Sequence, residues 1–176
     1  DETVEYICSE LETAAAYLPL KASIAQFERP TKGAAYALIA RLRLHAASPL
    51  FNGTSTARLY FGNWKRTYDK EYYVNPNYSE EKWALAAAAC KRVIDMNVYE
   101  LFTVSKDQNT PQLPAGVPTE NFPDGAGGID PFKSYSYMFT GDEPFKNNNE
   151  IIWGRISEEV KGYTQQSFPQ YMGGYN

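Results

Sequence analysis

The chemistry this sequence offers most of is the flat ring beside the polar amide or cation. Trp64 stands between Asn63 and Lys65-Arg66, and Tyr72-Tyr73 stands beside Glu71 and Asn75. Near the far end Tyr163, Gln165, Gln166, Phe168 and Tyr171 repeat the mixture. A ring face covers the apolar C–H face of a sugar, while Asn, Gln, Arg and Lys side chains bond its equatorial hydroxyls. Trp64, Tyr72, Tyr73, Tyr163, Gln166 and Tyr171 are therefore the candidate carbohydrate-binding residues. The supply of rings is large: 14 Tyr, 9 Phe and 3 Trp, with seven aromatics among the 19 residues from Tyr60 to Tyr78. The competing reading is that these rings roof the helices as core carried on loops.

Other chemistries find less support. Thr31-Lys32-Gly33 opens a helix, and helix N-termini attract anions, but a phosphate-binding loop needs preceding glycines and a preceding strand. Here the residues read as a capped helix start, with Gly33 allowing close backbone approach. His45 is the single histidine, and no carboxylate cluster at ligand spacing accompanies it, so neither a metal site nor a Ser/His dyad is indicated. Its place near a helix end suits a capping role. The acidic pairs Glu80/Glu81 and Glu158/Glu159 are adjacent residues, whereas a glycosidase needs two carboxylates converging across a cleft. Calcium at Asp124 or Asp130, within "NFPDGAGGIDP", lacks the EF-hand spacing. Cys8 and Cys90 fall on apolar helix sides, outside any CxxC or CxxH pattern, and read as buried free thiols. No cofactor motif is present. A net charge of −4 excludes the basic face of a general nucleic-acid binder, and no apolar run approaches a membrane span.

Three helices must carry these loops. Residues 3–18 place Val4, Ile7, Cys8, Leu11, Ala14, Ala15 and Leu18 on one stripe, with Thr3 as N-cap. Residues 31–47 form the second helix, capped by Thr31 and ended by Ser48-Pro49. Its stripe is Ala35, Leu38, Leu42 and Ala46, widened by Ala34 and Ile39. Residues 79–96 form the third, capped by Ser79, with Trp83, Ala86, Ala87, Cys90, Val93 and Ile94 on its stripe. Alanine-rich faces let helix axes approach closely and nearly antiparallel. Residues 111–144 hold six of the 11 prolines and five of the 12 glycines, a composition expected to form a long loop without helices. "NNNEIIWGRI" restores order, with residues 150–156 read as a short extended piece. The organisation expected is a single domain or fragment over 1–176: a helical-repeat-like portion 1–97, a Pro/Gly-rich excursion 98–149, and a short extended piece with loop over 150–176. The abrupt start at Asp1-Glu2-Thr3 and the lack of a closing element read as a processed chain or a piece of a larger one.

Four segments in order carry a family resemblance. "RPTKGAAYALIARLRLHAASPLFNG" closely resembles the helix of SusD-like (RagB) proteins, whose form is a Gly/Arg-x-Thr-Lys-Gly-Ala-Ala start, then Leu-x-Ala-Arg, and an Ala-Ala-Ser-Pro-Leu-Phe-Asn exit. "ICSELETAAAYLP" is similar to the helix before it, "EKWALAAAACKRVIDMNVYELFT" to the helix after, and "NNEIIWGR" to the extended piece beyond. His45 departs from the Tyr usual in that family and keeps a ring there. The resemblance implies an all-α, tetratricopeptide-like helical array with long aromatic-rich loops, of which this chain is a middle portion. It implies a non-catalytic lipoprotein on the outer face of a Bacteroidetes-type outer membrane, held by a lipid anchor absent from this chain. Its implied partners are a TonB-dependent (SusC-like) transporter and a glycan, oligosaccharide or other nutrient to be imported. The family motif holds no ligand residues, so the site set rests on the ring argument alone. Two rivals stand beside this expectation: a helical scaffold acting only through contact with the transporter, with its rings buried, and, further off, a glycoside hydrolase.

Overall fold

The computed structural model describes residues 1–62, 64–140 and 148–154. Among these residues the chain is all-α, with five helices: α1 (Glu2–Tyr17), α2 (Lys32–Ala47), α3 (Ser55–Phe61), α4 (Glu80–Asp95) and α5 (Pro131–Thr140), and a single 3-10 turn at Ile24–Gln26. Helix α2 is central, with α1 and α4 both packed on it. The contact is made of small side chains. Cys8 and Ala15 of α1, Gly33, Ala34, Ala35, Ile39, Ala40 and Ala47 of α2, and Ala86 of α4 are buried, so the axes approach where larger residues would hold them apart.

Of the stripe expected on α2, Ala34, Ala35 and Ile39 are buried and Leu42 and Ala46 half-buried, so the stripe packs except at its largest exposed member. Leu38 is exposed and Ala40 and Ala47 are buried, because a helix covered on two sides is buried wherever its residues are small. On α4 only Ala86 of the expected stripe is buried, and Ile94 is exposed. The α1 cap also moves: Asp1 takes the N-cap position and its carbonyl accepts from Glu5 N–H at 3.0 Å, leaving Thr3 inside the first turn. Thr31 caps α2 as expected, accepting from Ala34 N–H at 3.2 Å. Cys8 and Cys90 are free thiols, the first buried and the second half-buried.

Gly33 has a specific neighbour. A Cβ built there would lie 2.0 Å from the Tyr99 hydroxyl and 2.7 Å from the ring. The Lys32-Gly33 start of α2 is thus a seat for an aromatic ring arriving from beyond α4. Ion pairs tie the outside of the bundle: Arg43 of α2 to Glu5 of α1, and Arg92 of α4 to Glu12 of α1. The Arg92 guanidinium also lies 3.7 Å from the centroid of the Tyr36 ring. Each such exposed pair contributes at most about 1 kcal/mol.

One buried side chain joins α2 and α4. Asn52 is fully buried. Its amide Nδ2 donates to Ala47 O at 3.3 Å, at the end of α2, and to Ser79 O at 2.9 Å, at the start of α4. Its Oδ1 accepts from Ser79 N–H at 2.9 Å. Ser79, expected to cap α4 with its hydroxyl, makes no side-chain cap; its backbone is gripped instead. Next to it Gly53 has φ +60°, and a Cβ there would meet the Asn77 carbonyl carbon at 2.2 Å. Thr54 then caps α3, accepting from Ala57 N–H at 3.3 Å and donating to Pro49 O.

The Pro/Gly-rich region holds a helix that composition alone excludes. Pro131 occupies the first position of α5, where its missing N–H costs nothing. Asp130 is buried; its Oδ1 accepts from Lys133 N–H at 2.9 Å, and its Oδ2 accepts from the Thr110 hydroxyl at 2.9 Å, with Lys133 Nζ at 3.6 Å. Helix capping therefore accounts for this carboxylate, and no group of metal-ligating residues exists among the described ones. The preceding loop is stitched to α5 through Val104 N–H on Ser134 Oγ at 2.9 Å and Asp130 N–H on Val104 O at 2.8 Å. The piece expected to be extended over 150–156 turns and bends through Trp153 instead, and residues 155 and 156 lie outside the described ones. Glu150 Oε2 accepts from Phe102 N–H at 2.9 Å and Trp153 Nε1 donates to Glu28 O at 2.9 Å, so its side chains are drawn to two different neighbours. No described helix is long and apolar enough to cross a membrane.

Two measurements check this account. Asn52→Ala strands three backbone groups and is expected to cost about 2–4 kcal/mol, read as a fall in thermal midpoint of roughly 5–15 °C. Asn52→Asp, which sets an anion against two carbonyls, is expected to be no milder. The second concerns acid. Hydrogen bonds from Lys133 N–H and the Thr110 hydroxyl hold the Asp130 carboxyl below its ordinary range, and the Lys133 ammonium does the same to Asp107. A depressed folded-state value means the stabilisation is complete above about pH 4 and is lost as pH falls below it. The thermal midpoint should therefore drop on acidification through that range, and less steeply in Asp130→Asn.

Candidate functional site

The ring cluster is positioned by a short hairpin-like loop. Lys65 and Tyr72 form an isolated antiparallel bridge, flanked by Tyr73 N–H on Trp64 O at 3.2 Å and Arg66 N–H on Glu71 O at 2.8 Å. Trp64 is thus opposite Tyr73, Lys65 opposite Tyr72, and Arg66 opposite Glu71. Facing residues across such a pair touch, and alternate pairs occupy alternate faces. The tip is closed by Arg66 and Asp69, joined at 2.9 Å (Nε to Oδ1) and 2.5 Å. Asp69 Oδ1 also accepts from Glu71 N–H at 3.1 Å. Lys70 turns the chain with φ +65°.

That register decides which rings meet. Trp64 and Tyr73 meet as a tilted pair with centroids 4.6 Å apart. Ring contact continues from Trp64 to Phe61, the last residue of α3, at 5.7 Å, and from Phe61 to Phe51, beside the Asn52 clamp, at 5.7 Å. Four rings from three separate segments so form one run. Trp64 is 54% exposed and Tyr73 52%. Tyr72 is 37% exposed and belongs to the other pair, with Lys65 Nζ 4.2 Å from its ring centroid. Of the candidates named from sequence, then, Trp64 and Tyr73 come together and Tyr72 stands apart from them; Tyr163, Gln166 and Tyr171 lie outside the described residues.

Beside the run is a hollow of about 270 Å³, bordered by Phe51, Tyr73, His45, Asn75, Asp1 and Lys82 together with apolar side chains of α1 and α2. Lys82 Nζ lies 2.6 Å from Asp1 Oδ1, and burial holds its ammonium below the ordinary lysine value even so. Asn75 is fixed by accepting from Asn77 N–H at 3.0 Å and lies 3.4 Å from Asp1 Oδ2. The arrangement combines apolar ring surface with donors and acceptors of both kinds, which suits a polyhydroxylated ligand. It lacks a pair of opposed carboxylates, since Asp1 is the one acid on its wall.

Phe51 and Phe61 are not among the rings named from sequence, His45 is read there only as a helix-end residue, and Asn75 only as the polar neighbour of Tyr72-Tyr73. The signal for part of this is present: Trp-Lys-Arg and Glu-Tyr-Tyr flank a four-residue turn, with Arg66 and Glu71 of opposite charge, which is hairpin patterning. Phe51 gives no such signal, since its neighbours in space are far along the chain.

Among solved structures the chain is similar to BT4246, a protein of Bacteroides thetaiotaomicron, at 27% identity and a TM-score of 0.59. The selenomethionine form of that protein matches at 26% identity and a TM-score of 0.58. Each match covers 88% of this chain and 27% of the other, so the chain spans about a quarter of the length of the protein it matches. No protein-family model and no curated protein matches the sequence.

Proposed function

We propose that this chain is part of a SusD-like, glycan-binding component of a TonB-dependent outer-membrane uptake system. The observation that carries the reading is the four-ring run, half exposed at Trp64 and Tyr73, beside a hollow whose polar groups include both donors and acceptors. Four ordered segments resembling that family, and likeness over most of the chain to a Bacteroides protein, support the same assignment. The scaffold reading expects enclosed rings, and the exposure of Trp64 and Tyr73 weighs against it. Binding without catalysis is the role that suits the site, because a lone acid, neutralised by Lys82 at 2.6 Å, provides neither the acid nor the nucleophile of glycoside hydrolysis. In this reading the intact protein sits on the cell surface through a lipid anchor and hands its glycan to a SusC-like transporter.

The intact protein is expected to be retarded in native gels containing a polysaccharide and to release no reducing sugar from it. Replacing Trp64 and Tyr73 together by Ala should weaken retardation about tenfold or more. Co-isolation of a TonB-dependent transporter from detergent-solubilised outer membranes is expected as well. Reducing-sugar release, or failure of every polysaccharide to retard the wild type, would overturn the proposal.

A further inference from the structure

A ring that binds a sugar needs surface that other rings have not already taken. In the run of four, Phe61 and Trp64 each contact two neighbours in the run, while Phe51 and Tyr73 at its ends each contact one. Both end rings border the 270 Å³ hollow, and neither middle ring does. The run therefore curves so that its two ends address one space. Trp64, the most conspicuous ring in the sequence, acts as the spacer that sets Tyr73 in place.

The hollow's size and charge narrow what fits. Its volume is below the roughly 300 Å³ at which drug-sized pockets begin, which suits one sugar ring rather than a length of chain. Its acid and its ammonium are 2.6 Å apart and balance each other. A ligand carboxylate or sulfate would therefore have to displace the Asp1 carboxylate from Lys82 and lie beside it, at a cost in hydration. Hydroxyls find better partners. Asn75 uses Oδ1 on Asn77 N–H and one amide hydrogen toward Asp1, which leaves a second amide hydrogen for a ligand. His45 is exposed on the last turn of α2 and contributes its imidazole to the same wall.

Resting on the glycan reading above, we infer that this hollow is a subsite for one uncharged pyranose ring, packed against Phe51 and Tyr73 and hydrogen-bonded by His45 and Asn75.

The test uses the intact protein in native gels containing amylopectin, galactomannan or arabinoxylan, and in parallel polygalacturonate or chondroitin sulfate. At least one neutral polysaccharide is expected to retard the wild type. Tyr73→Ala should weaken that retardation about tenfold and His45→Ala about three- to tenfold. The free monosaccharide of the retarding polymer should compete. His45 is exposed, so its substitution remains a readout even where Tyr73→Ala lowers the thermal midpoint. Loss of retardation in either variant with an unchanged midpoint supports the subsite. Retardation by a neutral polysaccharide that both variants retain overturns the subsite and leaves the glycan reading standing. Retardation by the anionic polymers alone overturns the uncharged class, and retardation by none overturns both readings.

Discussion

The packing of this chain depends on a buried amide. Asn52 reaches across the gap between the end of α2 and the start of α4 and satisfies backbone groups at both, at 2.9–3.3 Å. Helix ends carry unpaired backbone groups, and burying them without partners is costly. A hydroxyl cap at Ser79 would satisfy α4 alone. An amide, with donors on one atom and an acceptor on the other, satisfies two helices and fixes their separation at the same time. Gly53 then lets the loop backbone lie directly on the backbone of Asn77 and Tyr78, where any side chain would hold it off. From this clamp follow the direction in which α3 leaves, the point where α4 begins, and the seat of Phe51.

Helix existence was legible in the sequence wherever periodicity and caps agreed, and α1, α2 and α4 lie within a residue or two of their expected bounds. Helix faces were less legible. On α2 the residues that pack are Ile39, alanines and a glycine, and the small ones carry little hydrophobic signal, while Leu38 and Leu44 are exposed. The expected stripe therefore caught Ala34, Ala35 and Ile39 but missed Ala40 and Ala47 on a helix covered on two sides. Helices α3 and α5 escaped for a different reason. Each is short and begins at a capping side chain, Thr54 or Asp130, that composition averages hide, and proline at the first turn of α5 reads as a breaker until its position is known.

The candidate site was legible in part. Ring density singled out the segment from Tyr60 to Tyr78, and two of its named rings do meet. What could not be read was the grouping. Trp64 and Tyr73 are nine residues apart and touch because a hairpin register sets them opposite each other, whereas Tyr72, one residue away, is turned to the other face by the same register. Phe51 joins only through the fold. The polar wall has the same character: His45, read as a helix-end residue, and Asn75, read as a neighbour of tyrosines, are brought to one hollow by the clamp and the hairpin together.

The position of Phe51 immediately before Asn52 has a consequence for how such a surface can diversify. The frame and the ring that borders the hollow are consecutive residues, yet they answer to different demands. Asn52 and Gly53 are fixed by backbone chemistry that no other residue type reproduces, while the side chain at 51 needs only to reach the hollow. The ring can be exchanged for another shape without disturbing the clamp, and the hairpin from 64 to 73 can be recoded at its outward faces while its register is kept. A scaffold organised this way separates what must stay from what can change at single-residue resolution, so the hollow can be reshaped while the helices beneath it keep their places.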